Sequence, residues 1–279
     1  MNPTTPLADR IIAACPAPDS IAAWWVGGSG FIFKTPTGQQ VWIDPYLSDV
    51  VRTIFGIGRA FPSPILVADA APDVVVCTHW HEDHLDPGSI PELARKRAGA
   101  KFVMPPSALA RALSWGIPRT QIIPFSQGQI VELGGIKLTA IFARHEVTVA
   151  GWEVPDALGV VLDFGGVRAF HTGDTEYDAR IYRALASTKL ALATLCINGS
   201  GGNMNAREAA LLAWHLDACS LIPHHHQLWA KEPEPGETLD PHVFEDTYRR
   251  LGGTASVQLP IVGGGWIIKS DGAHVNSEL

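Results

Sequence analysis

The segment that begins at Cys77, CTHWHEDHLDP, places three histidines and three carboxylates within eleven residues. It overlaps the β-branched run at 74–78, which predicts a short, fully buried strand. Residues two apart in an extended chain point to the same side, so His79 and His81 can reach one cation. The segment therefore constrains the fold, because other polar loops must meet this strand end to complete a site.

Asp83 and His84 follow at the turn and are offset from the first pair, so they can serve a neighbouring cation. Imidazole and carboxylate groups suit zinc, manganese or iron. Four potential ligands within six residues predict a metal site at the carboxyl end of a strand, the usual place for sites in α/β proteins. Glu82 and Asp86 are not expected to be ligands, because alternation turns Glu82 away and Asp86 precedes Pro87 in a turn.

The bulk composition excludes several classes of protein. The chain of 279 residues has a formal net charge of -7, and its lysines and arginines form no run longer than the three residues 95–97, so we expect no nucleic-acid partner. No apolar run approaches the about 18 residues of a membrane span, so we expect no membrane partner. The four cysteines form no C-x-x-C pair, which predicts reduced thiols in a cytoplasmic protein.

The order of predicted elements favours a fold with two sheets. Strand-rich segments with interspersed helices occur in both halves of the chain. We expect an α/β fold in the form of a four-layer αββα sandwich, with the sheets packed together and the helices outside. No low-complexity linker divides the sequence, so residues 1–279 are predicted to form one domain with its core at about 22–270.

Hydrophobic pattern and turn residues predict the individual elements. The predicted strands cover 22–33, 40–44, 74–78, 101–104, 121–124, 129–133, 136–142, 158–164, 167–171, 190–197, 219–223, 255–259 and 265–269. The predicted helices cover 90–98, a segment capped by Ser107 and ending at Gly116, 177–187, a segment capped by Asn205, and 240–251. Glycine pairs at 134–135 and 165–166 predict two hairpins.

The pattern H-x-H-x-D-H after an apolar strand resembles the signature of the metallo-β-lactamase superfamily. The other motifs of that superfamily follow in order. They are an aspartate after a strand (Asp44), a histidine after a strand (His145), a Gly-Asp pair (Gly173 and Asp174) and a late histidine run (His224, His225 and His226). The resemblance spans about residues 22–229 and implies the αββα fold.

A narrower resemblance is to the L-ascorbate-6-phosphate lactonase-like branch of this superfamily. Three stretches carry it: Trp24, Trp25, Gly27 and Gly30; Gly173, Asp174 and Tyr177; and Ile222, Pro223, His225, His226 and Trp229. The chain departs from that branch at His224 and Gln227, and it has less material around 50–70 and 145–158. These departures lie near the expected substrate mouth and leave the metal motifs intact.

The resemblance implies two divalent metal ions, with manganese favoured and zinc or iron as alternatives. Carried over by position, it assigns one ion to His79, His81 and His145, the other to Asp83, His84 and His225, and both to Asp174 as the bridge. It also implies hydrolysis by a metal-activated hydroxide, with Asp83 and Asp174 as catalytic residues. The implied substrate is a small lactone, such as a phosphorylated sugar-acid lactone, or an ester.

Several other side chains are candidates for supporting the metal site or touching substrate. They are Asp44, Arg144, Tyr177, His226 and Trp229. A turn aspartate, an ion-paired arginine and core or packing roles for the rings remain the structural alternatives. The role of His224 stays open, and His171 is expected to be structural.

Two other functions also stay open. The Ala143–His145 stretch and the following glycine hairpin resemble the N-acylphosphatidylethanolamine phospholipase D-like branch, which implies a phosphodiester hydrolase. The other alternative is a non-hydrolytic metal-binding or redox protein, against which the seven filled ligand positions argue. We expect a small-molecule substrate, and the tendency of the family indicates a homo-oligomer.

Overall fold

Two β-sheets lie face to face, and helices cover their outer sides. The computed structural model describes residues 5–145, 150–233, 236–275 and 279. Its strands are β1 (Ser20–Gly27), β2 (Gly30–Lys34), β3 (Gln40–Ile43), β4 (Val74–Val76), β5 (Lys101–Met104), β6 (Ile122–Pro124), β7 (Ile130–Leu133), β8 (Ile136–Phe142), β9 (Leu158–Asp163), β10 (Arg168–His171), β11 (Leu190–Cys196), β12 (Ala218–His224), β13 (Ser256–Val257), β14 (Gly265–Lys269) and β15 (Gly272–Val275).

The helices are α1 (Leu7–Ala13), α2 (Val50–Phe55), α3 (Ile90–Lys96), α4 (Pro106–Ser114), α5 (Ala179–Ala184), α6 (Ala206–Trp214) and α7 (Pro241–Arg250). Short 3-10 turns cover Val67–Asp69 and Arg119–Gln121. Within the described ranges, no helix is both long and apolar enough to span a bilayer.

The first sheet has the spatial order β15-β14-β1-β2-β3-β4-β5-β6, and the second has the order β13-β12-β11-β10-β9-β8-β7. Strands β3 to β6 run parallel, as do β10 to β13. The carboxyl ends of such neighbouring strands meet at one edge of a sheet, which is where polar loops can converge. The strand order therefore sets up one functional edge on each sheet.

Three apolar layers result from the alternation of side chains along the strands. Trp25 packs between the two sheets with Phe31 and Val160, whereas its neighbour Trp24 faces α1, α3 and α4 on the outer side of the first sheet. Phe170 packs beneath α5, α6 and α7 on the outer side of the second sheet. The predicted four-layer αββα sandwich is confirmed.

Most predicted elements are present, and the differences have local causes. The predicted strand 22–33 is two antiparallel strands, because Gly27 and Gly28 adopt φ values of 95° and 56° and turn the chain. The glycines at 27, 28 and 30 mark this turn in the sequence, although the predicted strand ran through them. Helices α1 and α2 and strand β15 were not predicted. The two predicted glycine-pair hairpins are present, joining β7 to β8 and β9 to β10.

Helix capping agrees with the sequence at Asn205 but not at Ser107, because α4 begins at Pro106 and Ser107 lies inside it. Asn205 accepts hydrogen bonds from the backbone N–H groups of Arg207 and Glu208, and the Glu208 carboxylate accepts one from the Asn205 N–H, which completes a capping box for α6. The predicted helix at 177–187 begins only at Ala179, because the Asp178 side chain caps it. All four cysteines are free thiols; of the three in apolar strand-like runs, Cys77 and Cys196 are buried, whereas Cys219 is only half-buried.

Candidate metal centre

Five loops that follow strands meet at one edge of the sandwich. The first sheet contributes Asp44 after β3 and the histidine-rich segment after β4. The second sheet contributes His145 after β8, Asp174 after β10 and His225 after β12. The polar side chains that these loops bring together are buried, except for the half-buried Asp83, and they form one cluster at the junction of the two sheets.

Three histidine rings form the first ligand group, which consists of His79, His81 and His145. Nε2 of His79 lies 2.9 Å from Nδ1 of His81, and Nε2 of His145 lies 3.2 Å from that same Nδ1. One nitrogen from each ring lies within 4.8 Å of the other two. These are spacings at which three imidazoles can share one cation.

The second ligand group consists of Asp83, His84 and His225. Nε2 of His225 lies 3.4 Å from Oδ2 of Asp83, and Nε2 of His84 lies 3.8 Å from the same oxygen. These ligand atoms also lie within 4.8 Å of one another. His225, 141 positions after His84 in the chain, thus lies beside the histidine-rich segment that follows β4.

Asp174 lies between the two groups. Its Oδ1 is 3.4 Å from Nε2 of His84, and its Oδ2 is 3.4 Å from Nε2 of His225. Oδ2 also lies 3.9 Å from Nε2 of His145 in the first group. All seven side chains that the sequence pattern singled out as ligands are therefore gathered at one place, with this carboxylate central.

The donor atoms fit a metal ion. Nε2 of His84, Nε2 of His225 and Oδ1 of Asp174 are buried and have no hydrogen-bond partner in the described part of the chain. Buried polar atoms without a partner cost about 1–3 kcal/mol each, so such a cluster calls for a bound group. A divalent cation would satisfy all three atoms at once, and the imidazole and carboxylate set suits manganese, zinc or iron.

The electrostatic balance differs between the groups. Burial lowers the pKa of His79 well below its usual value, aided by the neighbouring rings, and it lowers the pKa of His145 to about 4. Burial also disfavours charge on His225, but Asp174 and Asp83 overcome it and raise that pKa to about 10. The first group thus presents neutral imidazoles, which are the ligand form, and the carboxylates concentrate negative potential at the second.

Asp44 holds the histidine-rich segment in place. Its Oδ1 accepts a hydrogen bond from the Thr78 backbone N–H at 2.7 Å, and its Oδ2 accepts from the Thr78 hydroxyl at 2.7 Å. Nδ1 of His84 lies 2.7 Å from the same Oδ2. Because Nδ1 then carries the proton, Nε2 of His84 is left facing Asp174 and Asp83, as a metal ligand requires.

Backbone geometry at the centre is unusual. Asp44 and His225 both have positive φ values, 44° and 60°, which side-chain-bearing residues adopt at a cost of about 1–3 kcal/mol. Gly173, just before Asp174, has a φ of 59°. A Cβ atom there would lie 2.7 Å from the Leu158 carbonyl oxygen and 2.9 Å from Cβ of Thr78, so only glycine fits.

A second layer of buried polar side chains lies behind Asp44. Nε2 of His171 lies 3.7 Å from Oδ2 of Asp44, and its Nδ1 lies 2.8 Å from the Thr194 hydroxyl. His224 stacks on His171 at 4.7 Å between ring centroids. Ser29 lies within 3.4 Å of both rings. The His224 ring thus lies in this buried layer behind the metal ligands, although its neighbour in the chain is the ligand His225.

A cavity of about 410 Å³ borders the ligand groups. Its apolar lining consists of Val51, Phe55, Ile57, Trp152 and Trp229. Its polar lining includes His81, Glu82, Asp83, His145, Asp174, Asn198, Ser200, Asn203, His225 and Lys231. The cavity therefore gives a small molecule access to atoms of both groups, with an apolar wall beside them.

The remaining sequence candidates divide between the cavity and other surroundings. Trp229 lines the cavity. Arg144, Tyr177 and His226 are not among the described residues that line the cavity. Arg144 is exposed, and its Nε lies 3.6 Å from a carboxylate oxygen of Glu176. Tyr177 packs against the outer apolar layer of the second sheet, and the His226 ring stacks on Trp25 with 5.2 Å between centroids. For these three, the observed surroundings match the structural alternatives.

Some cavity residues were missed in the sequence. Glu82 lines the cavity because the chain turns after His81, with the Leu85 N–H donating to the His81 carbonyl at 2.8 Å, so strand alternation does not apply. Asn203 donates from Nδ2 to Oδ2 of Asp174 at 2.6 Å. The signal for Asn203 was a glycine-rich loop directly after a predicted parallel strand. Asp86 is a turn residue as expected, accepting from the Leu47 N–H at 3.0 Å.

Comparison with known families agrees with this geometry. The family model described as "Beta-lactamase superfamily domain" matches residues 39–226, more than half of the chain. A metal-dependent hydrolase of Bacillus pumilus is 28% identical over 228 residues, covering 79% of this chain and 90% of that protein. One from Herpetosiphon aurantiacus is 29% identical over 160 residues, covering 54% of this chain and 60% of that protein.

A probable L-ascorbate-6-phosphate lactonase of Escherichia coli is 23% identical, covering 79% of this chain and 74% of that protein. Among solved structures, a metallo hydrolase of Ignicoccus hospitalis superposes with a TM-score of 0.69 at 22% identity, covering 89% of this chain and 98% of that one. The metallo-beta-lactamase fold protein YhfI of Bacillus subtilis superposes with a TM-score of 0.65 at 17% identity, covering 89% and 99%. With its fold, its ordered motifs and its family match, the chain belongs to the metallo-β-lactamase superfamily.

Proposed function

We propose that this protein is a metal-dependent hydrolase that binds two divalent cations and hydrolyses a small lactone or ester. The observation that carries the proposal is the position of Asp174, whose two carboxylate oxygens reach His84 and His225 on one side and His145 on the other. A carboxylate placed between two clusters of ligand atoms is the arrangement that a binuclear site requires.

The distances support the ligand assignment. The first ligand group would hold one ion, the second would hold the other, and Asp174 would contribute to both. We propose manganese as the first choice, on the resemblance to the lactonase-like branch, with zinc and iron as alternatives of the same ligand preference. Asn203 keeps Asp174 oriented, because its amide N–H donates to Oδ2 of that carboxylate.

Divalent cations held by these side chains would lower the pKa of a bound water from 15.7 towards about 7 and polarise a carbonyl oxygen. The chain supplies the surroundings for this chemistry. Asp83 lines the cavity, so its carboxylate is placed to take up the proton of the attacking water and to return it to the leaving oxygen. Trp229 and Trp152 wall the cavity and limit the access of bulk water.

The direct test combines metal analysis with a panel of substrates. The protein is stripped of metal, reloaded with manganese, zinc or iron, and assayed on lactones, aryl esters and a chromogenic phosphodiester. We expect about two ions per chain and turnover on a lactone or ester. Asp174→Asn should lower both the metal content and kcat.

Each other outcome contradicts the proposal in a distinct way. Preference for the phosphodiester would move the protein to phosphodiester hydrolysis. Two tightly held ions without turnover on any substrate would indicate a non-hydrolytic metal or redox protein. A chain that binds no ion would remove the basis of the proposal altogether.

A further inference from the structure

We infer that the substrate carries an uncharged, apolar substituent beyond the reacting carbonyl, and that this substituent lies against the cavity wall formed by Phe55 and Trp152. The inference rests on the proposed lactone or ester hydrolysis and specifies its substrate class. It differs from the phosphorylated substrate that appears in the name of the Escherichia coli relative.

The apolar wall is the first support. Phe55 and Trp152 come from distant parts of the chain and meet edge to face, with ring centroids 4.9 Å apart. Val51, Ile57 and Trp229 extend the same wall. Phe55 is nevertheless 39% exposed, and large apolar side chains left partly exposed around a concave site mark a surface for an apolar ligand.

The charges around the cavity are the second support. Among the described lining residues, Lys231 is the only lysine or arginine, and its Nζ lies 3.1 Å from Oε1 of Glu237. The Glu237 side chain is 4% exposed, so a buried carboxylate already balances that ammonium. Recognition of a phosphate normally uses unopposed cationic donors, often in a bidentate arrangement. A phosphate or carboxylate on the substituent would find no such group here.

Glu82 likewise offers no positive charge to an anionic substituent. Its side chain lines the cavity beside the second ligand group and is 14% exposed. Nη1 of Arg111, which lies outside the lining, is 3.6 Å from Oε1 of Glu82, so this carboxyl group is itself paired and brings no free positive charge to the cavity. The metal ions would attract the reacting carbonyl, but the wall that receives the remainder of the molecule offers apolar contact and no free positive charge among the described residues.

The test uses matched lactones on the full-length, metal-loaded protein. The first has no substituent, the second carries an alkyl chain of four to eight carbons, and the third carries the same chain ending in a phosphate. We expect kcat/KM to rise at least about tenfold from the first to the second, and to fall by a similar factor from the second to the third, since each buried methylene can contribute severalfold. Equal or better hydrolysis of the phosphorylated lactone would overturn the inference.

Failure of the proposed reaction is distinguishable from failure of this inference. If no lactone is hydrolysed, calorimetric binding of the corresponding alkyl lactam and of its phosphorylated counterpart still decides. Tighter binding of the neutral lactam supports the apolar wall. Equal or tighter binding of the phosphorylated lactam, or no binding of either, rejects it.

Two variants on α2 test whether Phe55 contacts the apolar substituent. Phe55→Ala removes a lining ring, whereas Ile54→Ala removes the adjacent side chain, which is 47% exposed and lies outside the lining. We expect Phe55→Ala to raise KM for the alkyl lactone by about five- to tenfold, a much larger effect than on the unsubstituted lactone. Ile54→Ala should change neither. The same loss in both variants would show a general disturbance of the helix and contradict the assignment of the wall.

Discussion

Oδ2 of Asp44 lies 2.7 Å from Nδ1 of His84, and both side chains are fully buried. The contact fixes the proton on Nδ1 and leaves Nε2 for the centre. Burial works against a charged Asp44, but His84 and His171 outweigh it and hold the pKa of this carboxyl well below its usual value. The second ligand group therefore depends on a carboxylate that touches no ligand atom of the centre itself.

Asp44→Asn should weaken metal binding without removing a ligand. The amide cannot offer two charged acceptors to Thr78 and His84, so the His84 ring loses its fixed orientation. We expect affinity for the more weakly held ion to fall about 10- to 100-fold, as measured by competition with a chromophoric chelator. Asp69→Asn, at an exposed position in a 3-10 turn, serves as the control and should bind metal like the original chain. Unchanged affinity in Asp44→Asn would contradict the role.

Single ligand substitutions should separate the two ions. His79→Ala removes a member of the first group and His225→Ala a member of the second, so each should leave about one ion per chain, whereas Asp174→Asn should lower both occupancies. His242→Ala, which alters an exposed histidine on α7, should retain the full content. The measurement is elemental analysis after dialysis. Loss of all metal in both His79→Ala and His225→Ala would indicate one shared site.

Metal removal should lower the melting temperature. The buried Nε2 and Oδ1 atoms lose their partner when an ion leaves, and binding to the folded state alone stabilises it. An ion at about 100 times its Kd contributes about 2.7 kcal/mol, which corresponds to a rise in Tm of about 5 °C for a chain of this size. Differential scanning calorimetry with manganese or zinc checks this.

Calcium at the same concentration is the control for metal-induced stabilisation. An imidazole-rich site disfavours that ion, so calcium should produce little change in Tm. The expectation fails if neither manganese, zinc nor iron raises Tm.

Gly173→Ala should destabilise the fold strongly. The substitution adds a methyl group at a positive φ and places it 2.7 Å from a carbonyl oxygen, so both backbone strain and overpacking contribute. We expect a loss of about 2–5 kcal/mol in the free energy of unfolding, measured by urea denaturation. Gly135→Ala is the matched control, because its φ is 84° but nothing lies within 4 Å of an added Cβ. It should cost only about 1–2 kcal/mol.

Much of the fold follows from local pattern. The glycine pairs at 134–135 and 165–166 break two apolar runs visibly, and both hairpins are present. The stretch 22–33 carries Gly27, Gly28 and Gly30 at its turn, but both faces of β1 and β2 are buried, so periodicity alone did not divide it into two strands. Helix α2 is short and half exposed, and its place is set by packing near the cavity, which no local pattern encodes.

The site was predictable as far as its polar residues stand in ordered motifs. His79 and His81 do converge, although β4 ends at Val76 and the chain is no longer a strand at either position. The cavity wall was not predictable, because Phe55 and Trp152 meet only through the tertiary fold. The position of Glu82 in the cavity lining was not predictable either, because the chain turns after His81 and strand alternation no longer sets the direction of its side chain.

The ligands come from both halves of the sandwich: β4 leads to them from one sheet, and β8, β10 and β12 from the other. An ion coordinated from both sides acts as a cross-link that closes when the protein folds. The two sheets then cannot separate without breaking coordination, so the loaded protein should unfold in a single cooperative step. Amide hydrogens along both sheets should exchange more slowly together, and proteases should find fewer transient openings between them.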